Sequence, residues 1–344
     1  MTSDPKRENM NCSSHVSKPE ISVMMSCYNG SRWLREAIDS VLAQTYENFE
    51  FILVDNGSTD DTWNIIQSYR DKDKRIVAIS KKNTLLPDSL NVGIVQAKGE
   101  WIARLDADDL CEPTRLEEQI NFVRKHPEVV LLGTGFIEID EQGQVIKKHL
   151  YPSKHSVLVQ HLEHLQSFFP HSSAFYRLDT VRLIGGYNLH FRMAQDWQLW
   201  SELALRGKVM CLPKYLVHIR KHPDQLSSEN KGKSVNHEAM AVVVCRFLRK
   251  AGRKDPSVDA SAKKWILFLN WIEKRMEELD VFEKRKAWAD ARAKYFATKN
   301  RLNGAIRFGT HLLQSGYISV LVWEKFFGSS LPQRLMREWI IANK

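Results

Sequence analysis

Short, largely apolar runs alternate with segments of helical periodicity over the first third of the chain. Runs of roughly four to eight apolar residues predict buried strands, and apolar positions three and four residues apart predict amphipathic helices. A helix follows each of the first three of the four predicted strands, which are Ile21–Cys27, Phe49–Val54, Ile76–Ser80 and Trp101–Leu105. This alternation predicts an α/β fold whose doubly wound sheet has helices on both faces and binds ligands at the carboxyl ends of its strands.

The pattern changes toward the C-terminus. After a helix that begins near Pro113, the apolar run Val129–Ile139 predicts one or two further strands, and two helices and a last strand follow it. From about Val235 onward the sequence is almost wholly helix-forming. We therefore predict a disordered tail at residues 1–19, an α/β domain at 20–230 and an all-helical extension at 231–344.

The composition is that of a soluble globular protein, because 43% of the 344 residues are hydrophobic and 26% are charged. Apolar runs in the sequence fall far short of the roughly 18 residues that predict a membrane span. The first 20 residues lack the apolar core of a secretory signal, and the five cysteines are scattered without a C-x-x-C pair. These features predict a cytoplasmic protein with reduced thiols.

The net charge of +9 is concentrated in the C-terminal third. Residues 231–344 contain 23 Lys and Arg against 11 Asp and Glu, whereas residues 1–230 contain 27 against 30. Basic residues accompany apolar helical faces near 265–272, 317–327 and 331–341. This combination predicts docking on an anionic membrane surface, at the inner face of the cytoplasmic membrane. The alternative is that these faces pack on the α/β domain or on a second subunit, which would make the protein an oligomer. Nucleic acid is not an expected partner, because the sequence carries no readout motif.

Acidic residues follow two of the predicted strands. Asp106-Ala-Asp108-Asp109 follows the fourth strand, and strand alternation places Asp106 and Asp108 on one side, where their oxygens suit a hard divalent cation. Asp55 ends the second strand. An isolated acidic turn can equally cap a helix. The position of this D-x-D pattern at a strand end, beside a second strand that also ends in Asp, indicates a binding site.

Five motifs in order resemble those of family 2 glycosyltransferases with the GT-A fold. The motifs are VMMSCYNG at 23–30, AIDSVLAQTY at 37–46, VDNGSTDDT at 54–62, LNVGI at 90–94 and GEWIARLDADD at 99–109. The resemblance extends over about residues 21–227 and does not reach the helical extension. It implies a mixed GT-A sheet and an inverting transfer of a hexosyl or N-acetylhexosaminyl group. The implied donor is a nucleoside-diphosphate sugar, expected to be a UDP-sugar, and the implied acceptor is a glycan or lipid-linked glycan in cell-surface polysaccharide or glycoconjugate synthesis.

The resemblance also assigns roles to side chains. The donor is expected to contact Ser26, Tyr28, Asp55, Asn83, Asp106 and Arg220, and a Mn²⁺ or Mg²⁺ ion is expected to be held by Asp106, Asp108 and His222. A cation there would neutralise the charge that grows on the departing diphosphate. Tyr28 is expected either to stack on the base or to be a half-buried aromatic residue. Many members have two aspartates after the second strand. This chain has Asp55 followed by Asn56, so the contact with the base is expected from Asp55 alone.

An inverting transfer also needs a general base for the acceptor hydroxyl. The segment MAQDWQLW at 193–200 resembles the one that supplies it in the family, which makes Asp196 the expected base and an N-terminal helix cap the alternative. Trp197 is expected at the acceptor site, although its spacing from Trp200 favours a place in the core. His171 matches a family position near the acceptor. A solvated basic loop is the alternative for the segment around Arg220 and His222.

Two other functions stay open. A sugar nucleotidyltransferase would share the fold and the metal, but YNGSRW at 28–33 is a poor match to the Gly-rich basic loop expected after its first strand. A non-catalytic nucleotide-sugar-binding scaffold would not need Asp106, Asp108 and Asp196 together. A Rossmann dehydrogenase is excluded because no G-x-G-x-x-G follows the first strand.

Overall fold

The computed structural model describes residues 18–165, 168–225, 232–259, 261–278 and 331–343. Strands within these ranges form one mixed sheet. They are β1 (Ile21–Cys27), β2 (Phe49–Asp55), β3 (Ile76–Ser80), β4 (Trp101–Arg104), β5 (Leu110–Cys111), β6 (Val129–Ile139), β7 (Val145–His149), β8 (Phe175–Arg177) and β9 (Lys208–Arg220). The predicted tail lies outside the described residues up to residue 17.

Helices flank the sheet and continue beyond it. Those of the α/β part are α1 (Leu34–Leu42), α2 (Thr62–Arg70), α3 (Leu86–Gln96), α4 (Arg115–Lys125), α5 (His155–Glu163), α6 (Leu178–Leu183) and α7 (Gln195–Leu203). After residue 231 come α8 (Gly232–Lys250), α9 (Pro256–Asp259), α10 (Ala262–Glu278) and α11 (Leu331–Ala342). A short 3-10 turn, His171–Ser173, precedes β8.

The strand order is β3-β2-β1-β4-β8-β6-β9-β5, with β7 paired to β6. Strands β1 to β4 are parallel, and β8 runs antiparallel to both β4 and β6. The prediction of a doubly wound mixed sheet is confirmed. Cys27 pairs with Asp55 and Asp55 with Ser80, so the carboxyl ends of β1, β2 and β3 are level at one edge.

The reversal at β8 brings a distant segment to the end of β4. The backbone N–H of Arg104 donates to the carbonyl of Ala174 at 2.9 Å, just after the 3-10 turn. At the same strand end, Arg115 of α4 donates to the carbonyl of Arg104 at 2.7 Å and to the carbonyl of Ala174 at 3.4 Å. The residues of the 3-10 turn therefore lie beside the acidic turn that follows β4.

Two apolar layers cover the faces of the sheet. Helices α1, α2 and α4 pack on one face, and α3, α5, α6 and α7 pack on the other. Helix α3 approaches β1 closely, because a Cβ atom at Gly93 would lie 2.4 Å from the sulfur of Met24. Burial of these layers supplies the main favourable free energy of folding for the α/β part.

The C-terminal helices have their own apolar core. Helix α10 buries Trp265, Phe268, Ile272 and Met276, which recur at helical spacing, against α8 and α11. Phe191 from the α/β part joins this core. The apolar pattern predicted for lipid docking is therefore largely internal over residues 265–272, and residues 317–327 lie outside the described part of the chain.

Two apolar side chains of α10 remain on the surface. Ile266 is 55% exposed and Leu267 is 58% exposed. Within the described residues, no helix is both long and apolar enough to cross a lipid bilayer.

We predict that Phe268→Ala lowers the free energy of unfolding by about 3–5 kcal/mol, because it leaves a cavity in a fully buried aromatic site. The matched control is the adjacent, exposed Leu267→Ala, for which we expect a change within about 0.5 kcal/mol. Urea denaturation followed by tryptophan fluorescence measures both. Equal effects of the two substitutions would contradict the packing of α10 described here.

Candidate functional site

The loops after β1 and β2 support each other at the carboxyl edge of the sheet. Asn29 has a positive φ of 48°, and its N–H donates to the Ser58 hydroxyl at 3.0 Å. In return, the N–H of Thr59 donates to Asn29 Oδ1 at 2.8 Å. Gly57, at φ 76°, lies so close to the loop after β3 that a Cβ atom would come 2.5 Å from the Asn83 nitrogen. Three loops therefore meet over the ends of β1, β2 and β3.

Asp55 is buried at the base of these loops. Its carboxylate accepts hydrogen bonds from the Ser58 N–H at 3.1 Å and from the Ser80 hydroxyl at 3.3 Å. The neighbouring Asn56 accepts from Thr84 and Lys81 and donates to the Thr84 carbonyl at 2.8 Å. Asn56 thus holds the loop after β3, and Asp55 is a buried carboxylate at this edge of the sheet.

The other residues predicted to contact the nucleotide-sugar donor near the first three strands lie around Asp55. Ser26 donates to the Ser89 hydroxyl at 2.8 Å, so part of its bonding capacity is used within the protein. Tyr28 is 54% exposed, which excludes a place in the core and leaves its ring available for stacking. Asn83 is exposed on the loop after β3.

A buried guanidinium lies beneath the acidic turn. Arg104 is fully buried and donates to the Leu105 carbonyl and to Asp106 Oδ1. The Ser172 hydroxyl lies 2.7 Å from Asp106 Oδ2 and accepts the Asp106 N–H at 3.1 Å. Burial alone would raise the pKa of Asp106, but the Arg104 charge and the Ser172 hydrogen bond bring it below its usual value. Asp106 is therefore anionic.

Asp108 contacts the predicted imidazole. Its Oδ2 atom lies 2.9 Å from His222 Nε2, and the His222 ring packs against Trp33 with ring centroids 4.4 Å apart. Burial and the charge of Asp106 raise the pKa of Asp108. The structure thus brings two of the three residues predicted to hold a metal ion, Asp108 and His222, into direct contact.

Arg220 is buried beneath the same turn. Its N–H donates to Asp109 Oδ1 at 2.9 Å and its Nε donates to the Asp108 carbonyl at 3.1 Å. The guanidinium also pairs with Glu36 at 2.8 Å and donates to the Glu141 carbonyl at 3.0 Å. In this arrangement Arg220 fastens the end of β9 to the acidic turn. Its contact with a diphosphate stays a prediction.

His171 faces a cluster of aromatic hydroxyls. Its Nε2 atom lies 2.7 Å from the Tyr187 hydroxyl, which lies 3.1 Å from the Tyr176 hydroxyl. Burial, with the Arg104 charge, lowers the pKa of His171 to about 3. The imidazole is therefore neutral and acts as a hydrogen-bonding group at neutral pH.

Asp196 lies in the first turn of α7. Its Oδ1 atom accepts the N–H of Trp197 at 2.7 Å. Burial raises the pKa of Asp196 to about 6, and the nearby charge of Asp106 adds to the effect. Trp200 is buried in the core as expected, whereas Trp197 is only partly buried. The structure therefore places a carboxylate of raised pKa within electrostatic reach of the acidic turn.

The donor set at the acidic turn suits a hard divalent cation. Asp106 and Asp108 supply carboxylate oxygens, and the buried Nδ1 atom of His222 has no hydrogen-bond partner among the described residues. A cation would also relieve the repulsion that raises the pKa of Asp108. Within the described ranges, however, no three His, Cys, Asp or Glu side chains already form a metal-binding cluster. A cation held here would take its remaining ligands from phosphate oxygens or water.

A mixed sheet with an acidic turn after β4 is the arrangement of GT-A glycosyltransferases. Residues 22–185 match the family model described as Glycosyl transferase family 2. EpsE of Bacillus subtilis, which carries a glycosyltransferase designation, is 33% identical over 238 residues, or 68% of this chain and 84% of EpsE. The amylovoran biosynthesis glycosyltransferase AmsE of Erwinia amylovora is 28% identical over 67% of this chain and 87% of AmsE. The chain belongs to glycosyltransferase family 2, which confirms the motif-based resemblance.

Solved structures share the fold at low sequence identity. Staphylococcus aureus TarS 1-349 in complex with UDP-GlcNAc gives a TM-score of 0.55 at 18% identity, covering 86% of this chain and 80% of that one. The mannosyltransferase PcManGT from Pyrobaculum calidifontis, in complex with GDP-Man and Mn²⁺, gives a TM-score of 0.51 at 15% identity, covering 90% and 89%. These likenesses support the GT-A fold.

Three residues of the site were not singled out from the sequence. Arg104 could have been found from the sequence, because it is a charged residue in an otherwise apolar strand. Such a residue is buried only when it has a partner. Ser172 lies beside the predicted His171 but had no motif of its own. Tyr187 left no signal, because its contact with His171 depends on the loop before α7.

We predict that Asp196→Asn stabilises the folded protein, and more so at pH 8 than at pH 5. A folded pKa of about 6, raised from 3.8, means that the folded protein loses stability as pH rises through this interval. The amide removes this penalty and still accepts the Trp197 N–H. Denaturant unfolding should give a gain about 1 kcal/mol larger at pH 8 than at pH 5. An equal effect at the two pH values would show that Asp196 has an ordinary pKa.

Proposed function

We propose that the protein transfers a sugar, with inversion at the anomeric carbon, from a nucleoside-diphosphate donor to a hydroxyl group of a glycan or lipid-linked glycan. The single observation that carries this proposal is the pairing of two kinds of carboxylate at one edge of the sheet. Asp106 is held anionic by Arg104, and Asp196 has a pKa raised toward neutrality. The first suits the charged donor, and the second suits proton transfer.

The donor is a UDP-sugar in this proposal. In this proposal Asp55 accepts the uracil N3–H or a ribose hydroxyl, and the exposed ring of Tyr28 stacks on the base. Ser26 and Asn83 border the same place. A guanine base would present different donors to Asp55, so GDP-sugars are the natural comparison. The transferred group is a hexosyl or N-acetylhexosaminyl group, in line with the UDP-GlcNAc and GDP-Man named with the structural neighbours.

Asp106, Asp108 and His222 would hold a Mn²⁺ or Mg²⁺ ion in this scheme. Such an ion neutralises the negative charge that develops on the leaving diphosphate. Arg104 and Ser172 orient Asp106, and Arg220 fixes the backbone of the turn, so the carboxylates are set in place before the donor arrives. Preorganisation of this kind is the main source of electrostatic catalysis.

Asp196 acts as the general base. It takes the proton from the acceptor hydroxyl while the acceptor oxygen attacks the anomeric carbon. The bond from that carbon to the diphosphate oxygen breaks on the opposite face, and its electron pair leaves with the nucleoside diphosphate. A base with a pKa of about 6 is deprotonated at neutral pH and still basic enough to accept a proton. In this scheme Trp197 and the neutral His171 contact the acceptor.

The acceptor belongs to cell-surface polysaccharide or glycoconjugate synthesis in this proposal. The support is the likeness to AmsE, whose designation is an amylovoran biosynthesis glycosyltransferase. Partial burial of Trp197 leaves some of its ring for a sugar face.

The same substitution at two carboxylates tests the proposal. Turnover is measured as hydrolysis of the donor, by the nucleoside diphosphate formed from a panel of UDP- and GDP-sugars with Mn²⁺. Binding is measured by calorimetry with UDP or GDP. We expect Asp196→Asn to abolish turnover while binding stays within about threefold of wild type, because the base is lost and the shape is kept. We expect Asp108→Asn to weaken Mn²⁺-dependent binding by at least about tenfold and to abolish turnover.

Each result has a clear opposite. Wild-type protein that binds UDP or GDP but cleaves none of the UDP- or GDP-sugars would support the non-catalytic scaffold. Binding that is lost in Asp196→Asn would make Asp196 structural, and undiminished turnover in Asp108→Asn would exclude the metal assignment. Inversion itself is read from the anomeric configuration of the product sugar by NMR.

We further propose that α10 rests on an anionic membrane surface, which would bring the active site to a lipid-linked acceptor. Ile266 and Leu267 are exposed on this helix, and Lys263 and Lys264 are exposed one turn before them. Apolar side chains flanked by lysines are typical of helices that lie at a lipid interface. A second copy of the chain is the other possible occupant of this face.

The prediction is that full-length protein sediments with phosphatidylglycerol-containing vesicles and that Ile266→Gln with Leu267→Gln reduces this binding by about tenfold. Both positions are on the surface, so the fold should be kept. Neutral vesicles and high salt are the controls, since the lysine contribution is electrostatic. Unchanged sedimentation of the double variant, or concentration-dependent dimers of the wild type that the variant lacks, would reject lipid docking.

A further inference from the structure

Helix α7, which carries Asp196, has no side-chain cap at its N-cap position, although Asp196 itself accepts the N–H of Trp197 in the first turn. The residue before it is Ala194, and no side chain there bonds to the first turn. Alanine is a poor N-cap residue, because it cannot satisfy the free N–H groups at a helix start. Asp196, the proposed base, lies in this first turn. Any movement of the helix start would therefore move its carboxylate.

A carboxylate from the C-terminal helices bonds to the backbone just before the start of α7. Glu238 lies on α8, and its Oε2 atom accepts the N–H of Met193 at 2.8 Å and the N–H of Ala194 at 3.0 Å. The Glu238 side chain is buried at this junction. Its negative charge also lies at the positive end of the α7 dipole, where an anion is favoured.

Other contacts tie α7 and its preceding loop to the same helices. Arg246 of α8 donates to the Ser201 carbonyl at 2.7 Å, near the end of α7. Trp265 of α10 donates to the His190 carbonyl at 3.2 Å, before the start of α7. Of these contacts, those of Glu238 are the ones made with the backbone immediately before α7.

We propose that Glu238 is a positioning residue for Asp196, so that the C-terminal helical extension is a working part of the active centre. The inference rests on the proposed role of Asp196 as the base. Loss of the Glu238 contacts would let the first turn of α7 move and displace the carboxylate from the acceptor hydroxyl. The donor site, built on β1, β2 and β4, would be unaffected because Glu238 does not touch it.

The test compares Glu238→Ala, Glu238→Asp and Glu238→Gln in the full-length protein. Alanine removes both contacts, aspartate shortens the reach by one methylene, and glutamine keeps an acceptor oxygen at the same reach. We expect kcat for donor hydrolysis to fall on the order of tenfold to a hundredfold in Glu238→Ala and less in Glu238→Asp. Glu238→Gln should retain most of the activity. Binding of UDP or GDP with Mn²⁺ should stay within about twofold in all three.

Two further measurements separate positioning from a general loss of structure. Glu163→Ala is the matched control, because Glu163 pairs with Arg246 and Lys250 of the same α8 helix but does not touch the start of α7. It should lower the thermal midpoint and leave kcat unchanged. Hydrogen exchange of the amides at 193–198 should accelerate in Glu238→Ala and stay protected in Glu238→Gln and Glu163→Ala.

The outcomes distinguish this inference from the proposed function. If Asp196→Asn loses turnover while Glu238→Ala keeps wild-type kcat, Glu238 is not a positioning residue and the base assignment stands. If Glu163→Ala lowers kcat as much as Glu238→Ala, the role of Glu238 is structural only. If Asp196→Asn retains turnover, the base assignment itself is wrong.

Discussion

The buried charge of Arg104 is the constraint on which the site depends. Three aspartates follow it within five positions, and their carboxylates would repel each other if none were compensated. Arg104 binds Asp106 from below, and Arg115 holds the carbonyl of Arg104 from the neighbouring helix. The strand end, the acidic turn and the 3-10 turn with Ser172 are thus fixed around one guanidinium. Removing a buried partner of this kind leaves an uncompensated charge, which is strongly destabilising.

The sequence predicted the elements whose signals are local. The strands up to β4, their order and the strand ends with Asp55 and Asp106 follow from apolar runs and turn residues, and the structure agrees with them. The short β5, the exposed β7 and the three-residue β8 were missed, because strands of this length or polarity have no periodic pattern. Strands β5 and β8 form only through pairing with β9, β4 and β6, which are distant in sequence, whereas β7 forms a hairpin with the preceding β6.

The motifs predicted contacts among the acidic and imidazole side chains of the candidate site better than they predicted the side chains that hold them. Asp108 and His222 were expected together, and they lie in contact although 114 positions separate them. The Glu238 contacts with α7 span 44 and 45 positions and have no motif, since any buried carboxylate in the right place could make them. A resemblance that ends before the helical extension gives no information about such contacts. Local motifs specify chemistry, whereas long-range packing specifies geometry.

The opposite shifts of two aspartates explain why the C-terminal helices matter to the active centre. Asp106 is paired with the buried guanidinium of Arg104 and is held anionic. Asp196 lies in the first turn of α7, where burial favours its neutral form. A buried carboxylate of raised pKa would gain free energy in its charged form by moving into solvent. The first turn of the helix that carries it must therefore be restrained. The contacts from Glu238 provide that restraint at the start of α7, and through them the extension supports the carboxylate that we propose as the base.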